Sequence, residues 1–432
     1  MWRGGVNCLR QPQRMNDLVT AVNSPEEITL AAQRLRQVAV ERTVTPREVL
    51  AVFERWSAAL HTVGADEVPG IAFLRLWLRR GTLEGLFVRE LGSEALEGGW
   101  RDDGRARLRP FPLGVVGHWP AGNVEIQPVL SLTCALLGGN ACLVRVPAAL
   151  VEITRRLVAK LADVEGGGQL TERLFLAAFD HSRQDLHEAL AQAVDGAMIW
   201  GGAEAVSRVR ALPFPPWARL SVFGPRLSVA AMDTGAWSNG RDRRAWCQRM
   251  ARDVWQFDQQ ACTSPQALFL ERCAGGDVWS FVEDLKRAFE EEERLHPRRH
   301  IEPALTSAIC LARAAWLLGA PGRRAVFAES PAWSILVGQG PDLPRPTQGR
   351  TLTVLEVDDL TDPIRRFDGT VQTLGLAIED RQKEDAIARA AAGRGVDRIV
   401  KLGRMHVFSS PWDGMDLFRP FVRLVRHVPS FD

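Results

Sequence analysis

The sequence predicts an α/β protein built around an open, doubly wound parallel sheet with a helical region ahead of it. Three observations predict this. From Pro112 to about Leu212, short apolar runs alternate with longer runs of helical period, the pattern of βαβ units. Before Pro112 the texture is helical, with two Ser/Thr-Pro helix starts. At 432 residues, 46% hydrophobic and 25% charged, the chain has material for a large core and roughly two to three domains.

The elements follow in order. "NSPEEITLAAQRLRQVAV" opens with Ser24 as N-cap, Pro25 in the first turn and Glu27 closing a capping box. "TPREVLAVFERWSAAL" repeats the device with Thr45, Pro46 and Glu48. "LGVVGHW" then reads as a strand, "EIQPVLSLTCALLG" as a helix, "ACLVRV" as a strand and "ALVEITRRLVAKLA" as a helix. "RLFLAAF" and "GAMIW" are strands, each followed by a helix, "RQDLHEALAQAV" and "AEAVSRVRAL".

Charge and cysteine usage exclude several classes. A net charge of +2, with no long basic block, gives no electrostatic case for nucleic acid. Seven cysteines without regular spacing argue against a disulfide framework and for a reducing compartment, so a cytoplasmic protein is expected. No run approaches the roughly 20 apolar residues of a membrane span, and the first residues, "MWRGGVNCLRQPQRMNDLVT", lack the apolar stretch of a signal peptide.

Cys262 stands out among the thiols. Cys134, Cys142 and Cys310 lie in apolar runs, whereas Cys262 lies in "WQFDQQACTSPQ", a polar, turn-forming stretch that leaves it reachable. In open α/β sheets, ligands bind where strands end and helix N-termini begin, because free N–H groups and the helix dipole favour phosphate. Two turns fit that role, "GHWPAGN" from Gly117 to Asn123 and "WGGAEA" with Gly201 and Gly202. Neither is a G-x-G-x-x-G, and alone each reads as ordinary backbone geometry.

The order and spacing of "GVVGHWPAGNVEIQPVLSLTCALLGGNACLVRVP", "AMIWGGAEAV", "FGPRLSV", "WQFDQQACTSPQ", "VQTLGLAI" and "GVDRIVKLGRMHVFSSPWDGM" resemble the LuxC-type fatty acyl-CoA reductases of the aldehyde dehydrogenase superfamily, from about Pro112 to about Val428. The resemblance implies an aldehyde dehydrogenase-like fold: a doubly wound parallel-sheet cofactor domain, an α/β catalytic domain carrying the cysteine, and a cleft between them. Here the expected divisions are 1–111, a mostly helical part of the cofactor domain; 112–223, the dinucleotide-binding domain; 224–408, the catalytic domain; and 409–432, a tail returning to the cofactor domain or an oligomer interface. A homo-oligomer is implied.

The chemistry implied is NADPH-dependent reduction of a medium- or long-chain acyl thioester, acyl-CoA or carrier-bound, to the aldehyde. Cys262 would attack the thioester as a thiolate, which requires a lowered pKa or local help. Coenzyme A would leave, and hydride would reduce the acyl-cysteine. By resemblance, the oxyanion is held by the Asn123 amide and the backbone N–H of Cys262. The cofactor contacts implied are Gly117, His118, Trp119, Pro120, Arg145, Trp200, Gly201, Gly202 and Gly224. On residues alone, Asn123 has the alternative reading of a cap for the following helix, His118 reads equally as a packed histidine, and tryptophans such as Trp119 and Trp200 are most often core. An acyl-transferring enzyme is a further candidate partner.

Two departures from the wider superfamily sharpen the expectation. "VFGPR" puts Val222 where hydrolytic members carry the glutamate that activates water, so no deacylating base is expected near the cysteine. Arg145 in "LVRVP" replaces the usual lysine, and a guanidinium fork suits a 2′-phosphate, which favours NADPH over NADH. His296 and His300 in "HPRRH" have metal-like spacing, but Pro297 breaks the helix and no third ligand is near, so no metal site is expected. The alternatives are an aldehyde dehydrogenase producing acid, disfavoured by Val222, and a catalytically silent acyl-binding or scaffold subunit, disfavoured by Cys262 and Asn123.

Overall fold

The computed structural model describes residues 18–274, 276–298 and 301–429, which form two units: the residues up to Gly224 together with those from Asp416, and Pro225–Met415. The opening residues and His300 lie outside the described residues.

In the first unit, both expected helix starts are present, over Pro25–Glu41 and Pro46–Ala59, but only one carries its capping box. The Thr45 hydroxyl accepts from the Glu48 N–H at 3.2 Å, and the Glu48 carboxylate accepts from the Thr45 N–H at 2.7 Å. At Ser24 the hydroxyl makes no cap bond and pairs with Glu26 instead, while the Glu27 carboxylate reaches back to the Asn23 N–H at 3.3 Å.

The strands of this unit are β1 (Val19–Ala21), β2 (Arg101–Asp103), β3 (Ala106–Pro112), β4 (Val115–Trp119), β5 (Ala141–Val146), β6 (Leu174–Ala178), β7 (Gly196–Trp200) and β8 (Arg219–Phe223). Six of them form a parallel sheet in the order β1-β6-β5-β4-β7-β8. β1 is too short to show any alternation, which is why sequence patterning misses it. The chain builds outward from β4 to β5 and β6, then returns to the other side of β4 for β7 and β8. The topological switch therefore lies between β4 and β7, whose C-terminal ends carry the two turns singled out by sequence. Ile28 and Leu35 of the first helix pack with Val115, Leu143, Leu190 and Ile199 on one face.

The tail is tied in by buried polar groups. The Glu90 carboxylate accepts from the N–H groups of Leu417, Phe418 and Arg419 at 3.0, 2.8 and 3.0 Å. Asn140 donates to the carbonyls of Ala135 and Phe421 at 2.9 Å each. The last strand, Val422–His427, pairs antiparallel with β3. The chain rejoins this unit at Asp416.

The second unit is a seven-stranded sheet of β9 (Leu227–Met232), β10 (Pro265–Glu271), β11 (Arg324–Phe327), β12 (Ser334–Gln339), β13 (Thr351–Val357), β14 (Val371–Ala377) and β15 (Arg398–Lys401), in the order β11-β12-β13-β10-β9-β14-β15. All neighbours are parallel except β11 and β12. Met250, Val254, Phe281 and Phe289 cover one face; Phe367, Leu360 and Ile387 cover the other. Burial on both sides explains why "ALFL" and "LGLA" read as continuous apolar runs. Among the described residues, no helix is long and apolar enough to cross a membrane.

Candidate active site

Cys262 lies on the short connection into β10, at the N-terminal edge of the second unit's sheet, and is partly exposed. The backbone leading to it is strained: Phe257, Asp258 and Gln259 have φ of 55°, 50° and 61°, a left-handed run of non-glycine residues. Such residues cost about 1–3 kcal/mol each and persist only where the surroundings over-determine them. Here Gln259, with no exposed surface, donates to the carbonyls of Pro265 and Thr351 at 2.8 and 2.9 Å and accepts from the Thr351 N–H at 2.6 Å. Asp258 accepts from Arg350 at 2.7 Å, and Arg350 bonds Glu293 at 2.7 Å while lying over the Trp255 ring. Gln259→Ala should therefore destabilise the protein by about 3 kcal/mol, since it leaves two buried groups of Thr351 unpaired. Urea unfolding checks this; an unchanged midpoint would mean the loop holds its shape without the clamp.

Two bulges shape the sheet edge beside the cysteine. Pro265 and Thr373 both pair with Ser228 of β9, and the register slips at Gln266 in β10 and at Gln372 in β14. Bulges re-aim side chains at strand ends. Between them, the Ser228 hydroxyl donates to the Cys262 carbonyl at 2.7 Å. On the other side of the cysteine, His406 Nε2 donates to the Asp253 carbonyl at 2.7 Å. That leaves Nδ1 as the acceptor for the Thr263 hydroxyl at 2.9 Å. Burial holds His406 neutral, with its pKa lowered to about 4.

The Cys262 thiol is not pre-ionised. Burial pushes its pKa up to about 12 and the Asp413 carboxylate adds to the rise, while Arg398 and a hydrogen bond from Gln372 oppose it. The expectation of a cysteine free of carboxylates is thus not met. Val222 sits in β8 against the first unit's core, and within the second unit the carboxylate of Asp413, in the loop "PWDG", acts on the sulfur. Asp413 also binds the amide of Gln372. Arg398 is buried, donates to Thr373 Oγ1 and the Met405 and Val407 carbonyls at 3.1, 3.2 and 2.9 Å, and stacks over Trp412. Sequence reasoning missed Gln372, Arg398, His406 and Asp413 as individuals, although all four lie within the two last motifs quoted above.

In the first unit, the predicted residues divide into two sets. Gly117, His118, Trp119 and Trp200 are inside the sheet's own packing. A Cβ on Gly117 would fall 2.8 Å from the Trp119 side chain and 3.2 Å from that of Leu190. His118 has no exposed surface, contacts Ser131 Oγ at 2.7 Å through Nδ1, and is held neutral by burial with a pKa lowered to about 3. Trp119 donates to His187 at 3.0 Å, and Trp200 stacks on Phe223 at 3.9 Å. These four support the strand ends, since side chains within a covered parallel strand point into the layers above and below it.

The second set lies where the strands end. Pro120 follows β4, Gly201 and Gly202 follow β7, Gly224 follows β8, and Arg145 is near the end of β5. Added Cβ atoms on Gly202 and Gly224 would meet nothing within 4 Å, so neither glycine is required by packing. The helix Ala203–Arg210 begins with no side-chain cap. Arg145 Nε is buried without a partner, beside the Asp180 carboxylate. Free N–H groups, open glycines and an unpaired guanidinium donor fit an anionic dinucleotide. Asn123 is exposed in the turn after β4, ahead of the next helix, which starts at Gln127 with Ile126 in the N-cap position.

The fold is that of the aldehyde dehydrogenases. The glyceraldehyde-3-phosphate dehydrogenase GapN from Methanocaldococcus jannaschii, solved with NADP, superposes with a TM-score of 0.71 over 95% of this chain and 96% of that one, at 11% identity. An aldehyde dehydrogenase from Physcomitrella patens, solved with its product succinate, gives 0.70 over 94% and 91%, at 12% identity. Within that class, the family model for acyl-CoA reductase (LuxC) matches residues 43–426, and the chain belongs to this family of oxidoreductases. Relatives include the long-chain acyl-protein thioester reductase of Aliivibrio fischeri, 24% identical over 79% of this chain and 70% of the relative. That of Vibrio harveyi is 25% identical over 81% and 71%.

Proposed function

We propose that this chain reduces an acyl thioester to the aldehyde with NADPH, through an acyl-enzyme on Cys262. The observation that carries the reading is the built environment of Cys262: a strained, clamped loop, a fixed carbonyl and a hydrogen-bond donor beside the cysteine, in a member of the acyl-CoA reductase family. Cys262 supplies the nucleophile, and Asn123 with the Cys262 N–H supplies the oxyanion donors. Pro120, Arg145, Gly201, Gly202 and Gly224 are the residues that would hold the dinucleotide, which when bound supplies the hydride. The names of the relatives favour a protein-bound long-chain acyl group as donor, delivered by an acyl-transferring partner, with acyl-CoA as a simpler surrogate. Free thiols at Cys134, Cys142, Cys247 and Cys262 support a reducing, cytoplasmic setting, and a homo-oligomer is the assembly we assign.

The test is a series of octanoyl- to palmitoyl-CoA and acyl-carrier thioesters, each with NADPH and with NADH, scored for aldehyde. Aldehyde in step with cofactor oxidation is expected. Free acid alone, or no turnover of any thioester, would overturn the reading in favour of the acid-forming or the silent alternative.

For the cofactor, Arg145→Ala should raise KM for NADPH on the order of tenfold or more while moving KM for NADH little, since one charge-assisted contact to a 2′-phosphate is lost. Equal changes for both cofactors would remove the argument for NADPH.

A further inference from the structure

The proposed chemistry leaves a difficulty that the site itself raises. A thiol whose pKa is pushed up to about 12 holds almost no thiolate at neutral pH, so attack on a carbonyl needs a group that removes the proton as the S–C bond forms. The side chains converging on the sulfur come from three segments: Gln372 from the bulge in β14, Arg398 from β15, and Asp413 from the loop that follows the Ser410–Pro411 bond. Gln372 is fully buried, and its Nε2 is the hub of the arrangement. One amide hydrogen goes to Asp413 Oδ1, and the amide lies close enough to Cys262 to oppose the rise of its pKa. Its Oε1 accepts nothing, so the N–H side alone orients the amide, and the carboxylate forbids the flipped arrangement because two acceptors would then face each other.

We infer that Asp413 takes the proton of Cys262 during attack, and that Gln372, bonded to Asp413 and beside the cysteine, holds the carboxylate in place and donates to the charge developing on sulfur. This rests on Cys262 being the nucleophile of the proposed reaction. The S–H bond breaks, its electron pair stays on sulfur and forms the bond to the thioester carbonyl carbon, and the proton passes to Asp413 directly or through one water. When the tetrahedral adduct collapses, the bond to the departing thiol breaks with its pair on that sulfur. The proton on Asp413 then returns to the departing thiolate, so the carboxylate ends as it began. No oxidant or reductant enters this half of the reaction.

The charges around the pair are suited to that shuttle. Asp413 faces Arg226, Asp397 and Arg398 besides Gln372, and burial with the neighbouring Asp397 raises its pKa to about 6 against the opposing pull of Gln372 and the two arginines. Asp397 is itself paired with Arg226. Arg398, whose pKa burial lowers to about 10, remains cationic at neutral pH and faces both Cys262 and Asp413. A carboxyl titrating near 6 is ionised enough to accept a proton at neutral pH, and basic enough for the transfer to help.

A second role for Asp413 makes the opposite prediction. If its charge only disfavours the thiolate, removing that charge lowers the thiol pKa and speeds alkylation. The test is therefore the pH dependence of iodoacetamide alkylation, read by mass spectrometry on the Cys262 peptide of the full-length protein, for wild type, Asp413→Asn and Asp413→Glu. In wild type the rate should rise with pH through about 6, as Asp413 loses its proton. Asp413→Asn, nearly isosteric, should lose that limb and react on the order of 10²-fold more slowly at pH 7. Asp413→Glu, which keeps a carboxylate, should regain most of the rate and the limb. Asn alkylating as fast as wild type or faster, or Asn and Glu failing alike, would overturn the inference. The readout needs neither cofactor nor thioester. Alkylation that follows this pattern while no acyl thioester reacts would instead count against the proposed function.

Discussion

Cys262→Ala should abolish aldehyde formation with every thioester while leaving dinucleotide binding intact. The thiol is asked for a covalent bond, and the buried thiols of Cys134, Cys142 and Cys247 are poor substitutes, since burial raises all three well above their ordinary pKa. Stability should change by no more than about 1 kcal/mol, because the side chain lost is small and lies at a partly exposed site. Incubating wild type with acyl-CoA and no cofactor should release thiol up to one equivalent per active site and leave an acyl adduct on the Cys262 peptide. The mutant should release none. An adduct on Cys134 or Cys247, or release that persists in the mutant, would sink the assignment of Cys262.

Asn123→Ala should lower kcat on the order of 10²-fold with a smaller change in KM, as expected for a donor that bonds the oxyanion more strongly than the ground-state carbonyl. Because the residue is exposed and lies ahead of the helix that starts at Gln127, the thermal midpoint should change far less than kcat. A loss of stability with kcat unchanged would place its role in the turn and not in catalysis.

The framework of the fold was legible because it is carried by local patterns. Apolar runs in strands β4 to β7 and the helical periods between them are properties of neighbouring residues, so alternation along the chain reports the parallel sheet directly. Glycines after β7 and the turn after β4 mark strand ends for the same reason. Local patterns overreached where a residue's layer mattered. His118 and Trp119 belong to a motif that runs to the end of β4, and only the fold shows that their side chains lie in packed layers. Ser24 and Glu27 have the spacing of a capping box, but Glu26 claims the hydroxyl.

What the sequence by itself determined was the layered α/β plan, the strand ends that could face phosphate, and a cysteine set in a polar turn instead of an apolar run. Only the tertiary structure decided what that cysteine meets. The order β10-β9-β14 puts "QQAC" and "VQTL" on either side of Ser228, and β15 with the loop after it carries Arg398, His406 and Asp413 to the same edge. These residues are more than a hundred positions apart from Cys262, so no periodicity relates them. In the sequence, Gln372 is one polar residue of a strand and Asp413 one residue of a turn; strand pairing and two bulges make them neighbours of a single sulfur atom, and burial there shifts both acids away from their ordinary pKa.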